Sequence, residues 1–288
     1  GLDTLIIDHV VVRNNTSEDC CGTSGGVYTS GVDYVRIENS KISDNRQPDT
    51  QGGGLNVGGA KWFKMTNTLI EGNTTKGYGA ANIYSDEIQI INCTIANNKN
   101  DCQGCTDGLY VVTSSSLDSI LIMNTIVAQN SSWDNSDEVY DVNNRDMGFS
   151  TGKVVLINNY TGLYYHVGQD RVKRSVGNIF TEADPFLDMS KDNYGLTPFS
   201  HAIAGGLASV FYDGNTVSAP TKDINGLSRG ALPDMGAIEN SLNKKLTVAY
   251  VSKNGSDSNV GTSASPFLTV QKGINATSGG DTILVASG

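Results

Sequence analysis

Apolar and polar positions along the first half of the chain follow a phrase of eight residues that recurs five times. The copies are Asp8–Asn15, Glu38–Asn45, Thr66–Asn73, Ile91–Asn98 and Met123–Asn130. Each closes on an asparagine, and three positions before it stands Val12, Ile42, Ile70, Ile95 or Val127. The closing asparagines are spaced by 30, 28, 25 and 32 residues. A fixed phrase separated by gaps of variable length predicts the rungs of a solenoid, with the length differences taken up in loops. Between phrases, a polar loop leads to a pair of small residues and a short apolar run, as in Gly25-Gly26-Val27-Tyr28, Gly53-Gly54-Leu55 and Asp107-Gly108-Leu109. A third run, such as Tyr34–Ile37 or Glu87–Ile90, opens the next phrase.

Three short runs rich in β-branched residues per rung, each bounded by Gly, Asn, Asp or Ser, predict three strands and three turns. The fold class is therefore all-β: a right-handed parallel β-helix with an irregular extension and an end cap. The scarcity of a 3.6-residue pattern excludes helical solenoids. Asn15, Asn45, Asn73, Asn98 and Asn130 are expected to stack as an inward ladder, amide on amide, about 4.8 Å apart along the axis. The recurring glycines mark a corner where a side chain would clash or φ must be positive.

The regular rungs span residues 1–132. From 133 to 182 the register is lost, and a turn near Tyr160-Thr161-Gly162 predicts an irregular extension or hairpin. Its aromatics Tyr160, Tyr164 and Tyr165 are candidates for a glycan-stacking platform, weighed against a simple flank cover. Lone acids and bases on the rungs (Asp8, Glu38, Lys41, Asp44, Lys61, Lys64, Glu71) are the only candidates for a lyase site. Abstracting a proton beside a uronate needs a base of depressed pKa and a cation to neutralise the carboxylate. These residues do not stack in the repeat, so a solvated face accounts for them better than catalysis does.

Composition narrows the partners. Charged residues make up 17% of the chain, glycines number 33, and the formal net charge is -10. No basic stripe exists to meet a phosphate backbone, which speaks against nucleic acid. No hydrophobic run is long enough to form a membrane span. An acidic, amide-rich surface fits an extracellular protein. Of the five cysteines, Cys102 and Cys105 form a CxxC, for which a small loop disulfide or free thiols both remain open; export favours the disulfide. Cys93 is expected to be a small buried residue. Asp257 with Asn259, and Asp223 with Asn225, resemble calcium-binding turns but lack the downstream bidentate glutamate, so a polar turn is the default and Ca²⁺ the alternative.

The second half carries a resemblance. Asp184-Pro185-Phe186, the stretch from Tyr194 to Gly205, and the series Asp223, Gly226, Arg229, Asp234, Gly236, Ala237 and Glu239 resemble the end of bacterial choice-of-anchor Q β-helix proteins. That likeness implies that residues 183–240 are terminal rungs and a cap, with Arg229 pairing Asp234 or Glu239. After a linker (241–246), residues 247–288 resemble the opening of a pectate-lyase-like β-helix through Tyr250, Gly255, Asp257, Gly261, Thr262, Pro266, Phe267, Thr269, Gly280, Asp281 and Gly288. There a short helix is expected to cover the open end with Val270 and Ile274. An end followed by a beginning implies one window of a tandem array in an exported bacterial surface protein, with neighbouring copies head-to-tail. A structural or adhesive role is the expectation; a uronate polysaccharide lyase and a glycan-binding module are the alternatives.

Overall fold

The computed structural model describes residues 3–18, 24–48, 52–101, 107–115, 118–132, 140–143, 153–161, 163–165, 172–181 and 183–287. Its strands stack in parallel as a right-handed β-helix. One rung shows the path. A long strand, Leu55–Thr66, runs along two faces and bends at Gly59, whose φ is 73°. Asn67 turns the chain, Leu69–Glu71 forms the next face, Gly72 turns it again, and Thr74–Thr75 follows. On this face successive rungs lie in register: Lys41, Leu69, Thr94 and Ile126 are neighbours across four rungs.

Strand alternation builds the core. Val35, Phe63, Ile88, Ile120 and Val154 follow one another in register, as do Ile37, Met65, Ile90, Ile122 and Leu156. Ile42, Ile70, Ile95 and Val127 face them from the seven-stranded sheet, and all are buried. Like residues therefore pack on like, which gives each rung the same cross-section.

The asparagine ladder is present. Nδ2 of Asn15, Asn45, Asn73 and Asn98 each donates to Oδ1 of the next asparagine at 2.9, 3.0, 3.0 and 2.9 Å. The same Oδ1 atoms also accept from the preceding backbone N–H at 3.0–3.1 Å. The paired glycines answer to space and not to φ. A Cβ on Gly53 would stand 2.4 Å from the Thr74 carbonyl oxygen, and one on Gly54 2.9 Å from the Asn73 amide.

Three expectations are corrected. Residues 153–161 and 172–181 are not a hairpin or irregular extension but further rungs: Lys153–Ile157 pairs in parallel with Ser119–Met123, and Tyr160–Thr161 with Ile126–Val127. Val172–Val176 and Ile179–Phe180 add another rung. Residues 183–240 are not terminal rungs. Their strands pair antiparallel, Phe186–Asp188 with Asn193–Leu196 and Ser209–Tyr212 with Asn215–Ser218, and the segment lies as a strap along the rungs' outer faces. The cause is apolar surface that also points outward. Leu69, Ala96, Ile126 and Ala128 pack under Phe186, Tyr194 and Met235, while Leu121, Met123 and Ile157 pack under Val210 and Val217.

The third correction concerns the C-terminal unit. There Val248–Val251 pairs in parallel with Thr282–Val285. The helix Val270–Ala276 lies on this pair through Gly273, whose Cβ would stand 3.2 Å from Val251 and 3.3 Å from Ile283. Val270 and Ile274 point instead to solvent, 45% and 52% exposed.

Candidate functional site

Six of the seven rung acids and bases, Asp8, Glu38, Lys41, Asp44, Lys61 and Glu71, are engaged in structural bonds. Lys41 Nζ lies 2.6 Å from Asp192 and 3.2 Å from Glu71, whose other oxygen accepts from the Tyr194 hydroxyl at 2.9 Å. Burial opposes the Lys41 charge, but the two carboxylates outweigh it and raise its pKa. A lyase base needs the opposite shift. The remaining residues are dispersed: Asp8 bonds Asn39, Asp44 faces Arg13 at 3.8 Å, Glu38 faces Arg36 at 3.4 Å, and Lys61 pairs with Asp33 at 2.8 Å.

Where calcium was the alternative, the carboxylates are turned toward backbone amides. Asp257 accepts from Leu268 N, Thr269 N and Thr269 Oγ1 at 3.0, 2.8 and 2.8 Å, and Asn259 Nδ2 donates to the Pro266 carbonyl. Those bonds hold the start of the helix, because Thr269 is its N-cap. Asp223 accepts from Asn225 N at 2.9 Å, Leu227 N at 2.7 Å and Glu239 N at 2.9 Å. Among the described residues no group of three or more His, Cys, Asp or Glu could hold a metal ion.

Tyr160 is 3% exposed and its hydroxyl donates to the Ala183 carbonyl, so it does not stand on an open platform. The side chains of Tyr164 and Tyr165, and all of Cys102 and Cys105, lie outside the described residues. Cys93 is free and buried; its thiol donates to the Ile91 carbonyl, and burial pushes its pKa up to about 12.

The densest polar centre is the one the resemblance singled out. Arg229 is buried, and its Nη1 meets Glu239 at 2.6 Å, one of the two partners expected. Asp234 is bound differently: its carboxylate accepts from Ala204 N and Asn240 N, both at 2.6 Å, and Arg229 reaches only its carbonyl at 3.3 Å. Nη2 donates to the Gly236 carbonyl at 2.9 Å and to Asn67 Oδ1 at 3.1 Å. Burial raises the Asp234 carboxyl to about 6 and also raises Glu239, against the pull of Arg229. One guanidinium thus joins the loops of the strap to a corner of the solenoid.

That corner belongs to a row the repeat phrase contains but does not announce. His9, Asn39, Asn67, Asn92, Asn124 and Asn158 all have φ of 46–55°. Asparagine tolerates this left-handed turn better than other residues with a Cβ, apart from Asp. The amides of the last four hold the strap's backbone: Asn67 donates to Lys222 O at 2.7 Å, Asn92 to Asp234 O at 3.0 Å, Asn124 to Leu207 O at 2.8 Å and Asn158 to Gly205 O at 2.6 Å. The signal available in the sequence was an asparagine at the second position of four phrases, Asn39, Asn67, Asn92 and Asn124.

Comparison of the chain with known protein families, curated proteins and solved structures gives no match.

Proposed function

We propose that this chain is a rigid, non-catalytic rod in an exported bacterial surface protein, where it spans distance and presents loops in a structural or adhesive role. The observation that carries the reading is the fate of the reactive groups. Lys41, Glu71, Arg229, Glu239 and Asp257 all serve to fasten one segment to another. A continuous amide ladder with a strap along its flank suits stiffness, because stability then grows with rung number. The choice-of-anchor Q likeness gains support from geometry: its distant positions Asp223, Arg229, Asp234, Gly236 and Glu239 meet in one buried centre. The order of the two resembling segments supports a head-to-tail arrangement with neighbouring copies or domains.

Electron microscopy of surface material shed by the native host, labelled with an antibody to this chain, tests the reading. Labelled fibres or rods are expected. Label confined to the cell interior, or unsaturated uronate released from acidic polysaccharides by the purified chain, refutes it.

A further inference from the structure

A crevice of about 230 Å³ lies where the last rung, the start of the strap and the end of the C-terminal helix meet, apart from the Arg229 centre. One wall is Phe180, 52% exposed. Phe199 also lines it and is backed by Phe267, ring centroids 6.4 Å apart. Ile179, Ala183 and Ala276 add apolar lining, and the polar side chains include Asp184, Ser200, His201 and Ser278. The His201 Nε2 lies 3.3 Å from the Ser278 hydroxyl. Burial first, and Lys245 second, lower the imidazole pKa, so His201 is neutral at pH 7 and can both donate and accept. Asp184 has one oxygen on the Phe186 amide at 2.9 Å. The described lining contains no lysine or arginine, and nearby Lys245 is held by Asp281 at 2.6 Å.

We propose that this crevice binds one neutral or amino-substituted pyranose at the end of a glycan, with Phe180 against the ring's C–H face and Asp184 accepting from two hydroxyls. A sugar ring is apolar on its faces and hydroxylated at its rim, which matches one aromatic wall opposite a set of acceptors and donors. The volume is below the ~300–1,000 Å³ of sites for drug-sized ligands, which restricts occupancy to about one ring. A uronate is disfavoured because its carboxylate would face Asp184 and the described lining holds no cation; Lys272, whose charge reaches Asp184, lies outside that lining. This goes beyond the rod reading and names what an adhesive rod would hold.

The test screens the full chain on a glycan array. Calorimetry then follows with N-acetylglucosamine, methyl galactoside and glucuronate as probes. Binding to a neutral or amino sugar is expected, weakened at least ten-fold by Phe180→Ala and by Asp184→Asn. Trp62→Ala, several rungs away, is expected to leave it unchanged. Asp184→Asn preserves size and shape, so it separates lost binding from lost folding. No signal on the array, binding retained by both crevice variants, or a preference for glucuronate overturns the proposal. Electron micrographs of the rod do not depend on any of these outcomes, so the two readings fail separately.

Discussion

Replacing Arg229 by methionine isolates the contribution of the strap. The side chain is 2% exposed, and the substitution removes the 2.6 Å pair with Glu239 together with bonds to Asn67, Gly236 and Asp234. Asp223, Asp234 and Glu239 then share a buried site with no cation. Breaking a buried pair by removing one partner costs about 3–5 kcal/mol, mostly from the uncompensated charge. Urea denaturation at pH 7 measures the loss, and hydrogen exchange locates it. Protection is expected to fall at Ala204, Glu239 and Asn240 while the ladder amides Asn45, Asn73 and Asn98 keep theirs. The double variant Arg229→Met with Glu239→Leu is expected to regain part of the loss. A cost under about 1 kcal/mol would place this centre in the class of exposed ion pairs and refute the reasoning.

Other outcomes follow from the same geometry. Asp234 titrates at about 6 in the folded protein against an ordinary 3.8, so the folded state binds more protons between those values. Stability from this group therefore falls as pH rises through that window, and thermal melts are expected to show a firmer strap at pH 5 than at pH 7. Asn98→Ala removes an amide bonded to Asn130, Ile70 and Ala96 and leaves buried partners unmet, a loss of about 3 kcal/mol by denaturant titration. Gly54→Ala places a methyl against the Asn73 amide and is expected to destabilise by about 1–3 kcal/mol, measured in the same way. Cys93 is expected to resist a thiol reagent in the native state and to react at once in denaturant; rapid native labelling would contradict its burial.

The inward ladder and its rungs were legible because the same five asparagines recur in the same phrase, and nothing but stacking demands that. The later rungs were not, because their phrases lose the closing asparagine: in Ile157–Tyr164 and Val176–Ala183 the eighth position is Tyr164 or Ala183. What persists there is a different row. Asn159 Nδ2 donates to Asn178 Oδ1 at 2.9 Å, and Thr125 N donates to Asn159 Oδ1 at 2.9 Å. The strap was misplaced as an end cap for a related reason. Motif spacing reports which residues meet, and Arg229 does meet Glu239, yet it says nothing of which surface they meet upon. The pointer lay in strands such as Ile126–Ala128, apolar on both faces and therefore in need of cover outside as well as in.

The strap gives the molecule something that stacked rungs lack. Around each rung the covalent chain runs mostly across the long axis, so neighbouring rungs are held face to face mainly by non-covalent contacts. The strap runs lengthwise instead, its Gly205, Leu207, Asp234 and Lys222 carbonyls holding Asn158, Asn124, Asn92 and Asn67, one corner on each of four rungs. It acts as a brace: tension applied lengthwise must break these grips as well as the ladder before the rungs can peel apart.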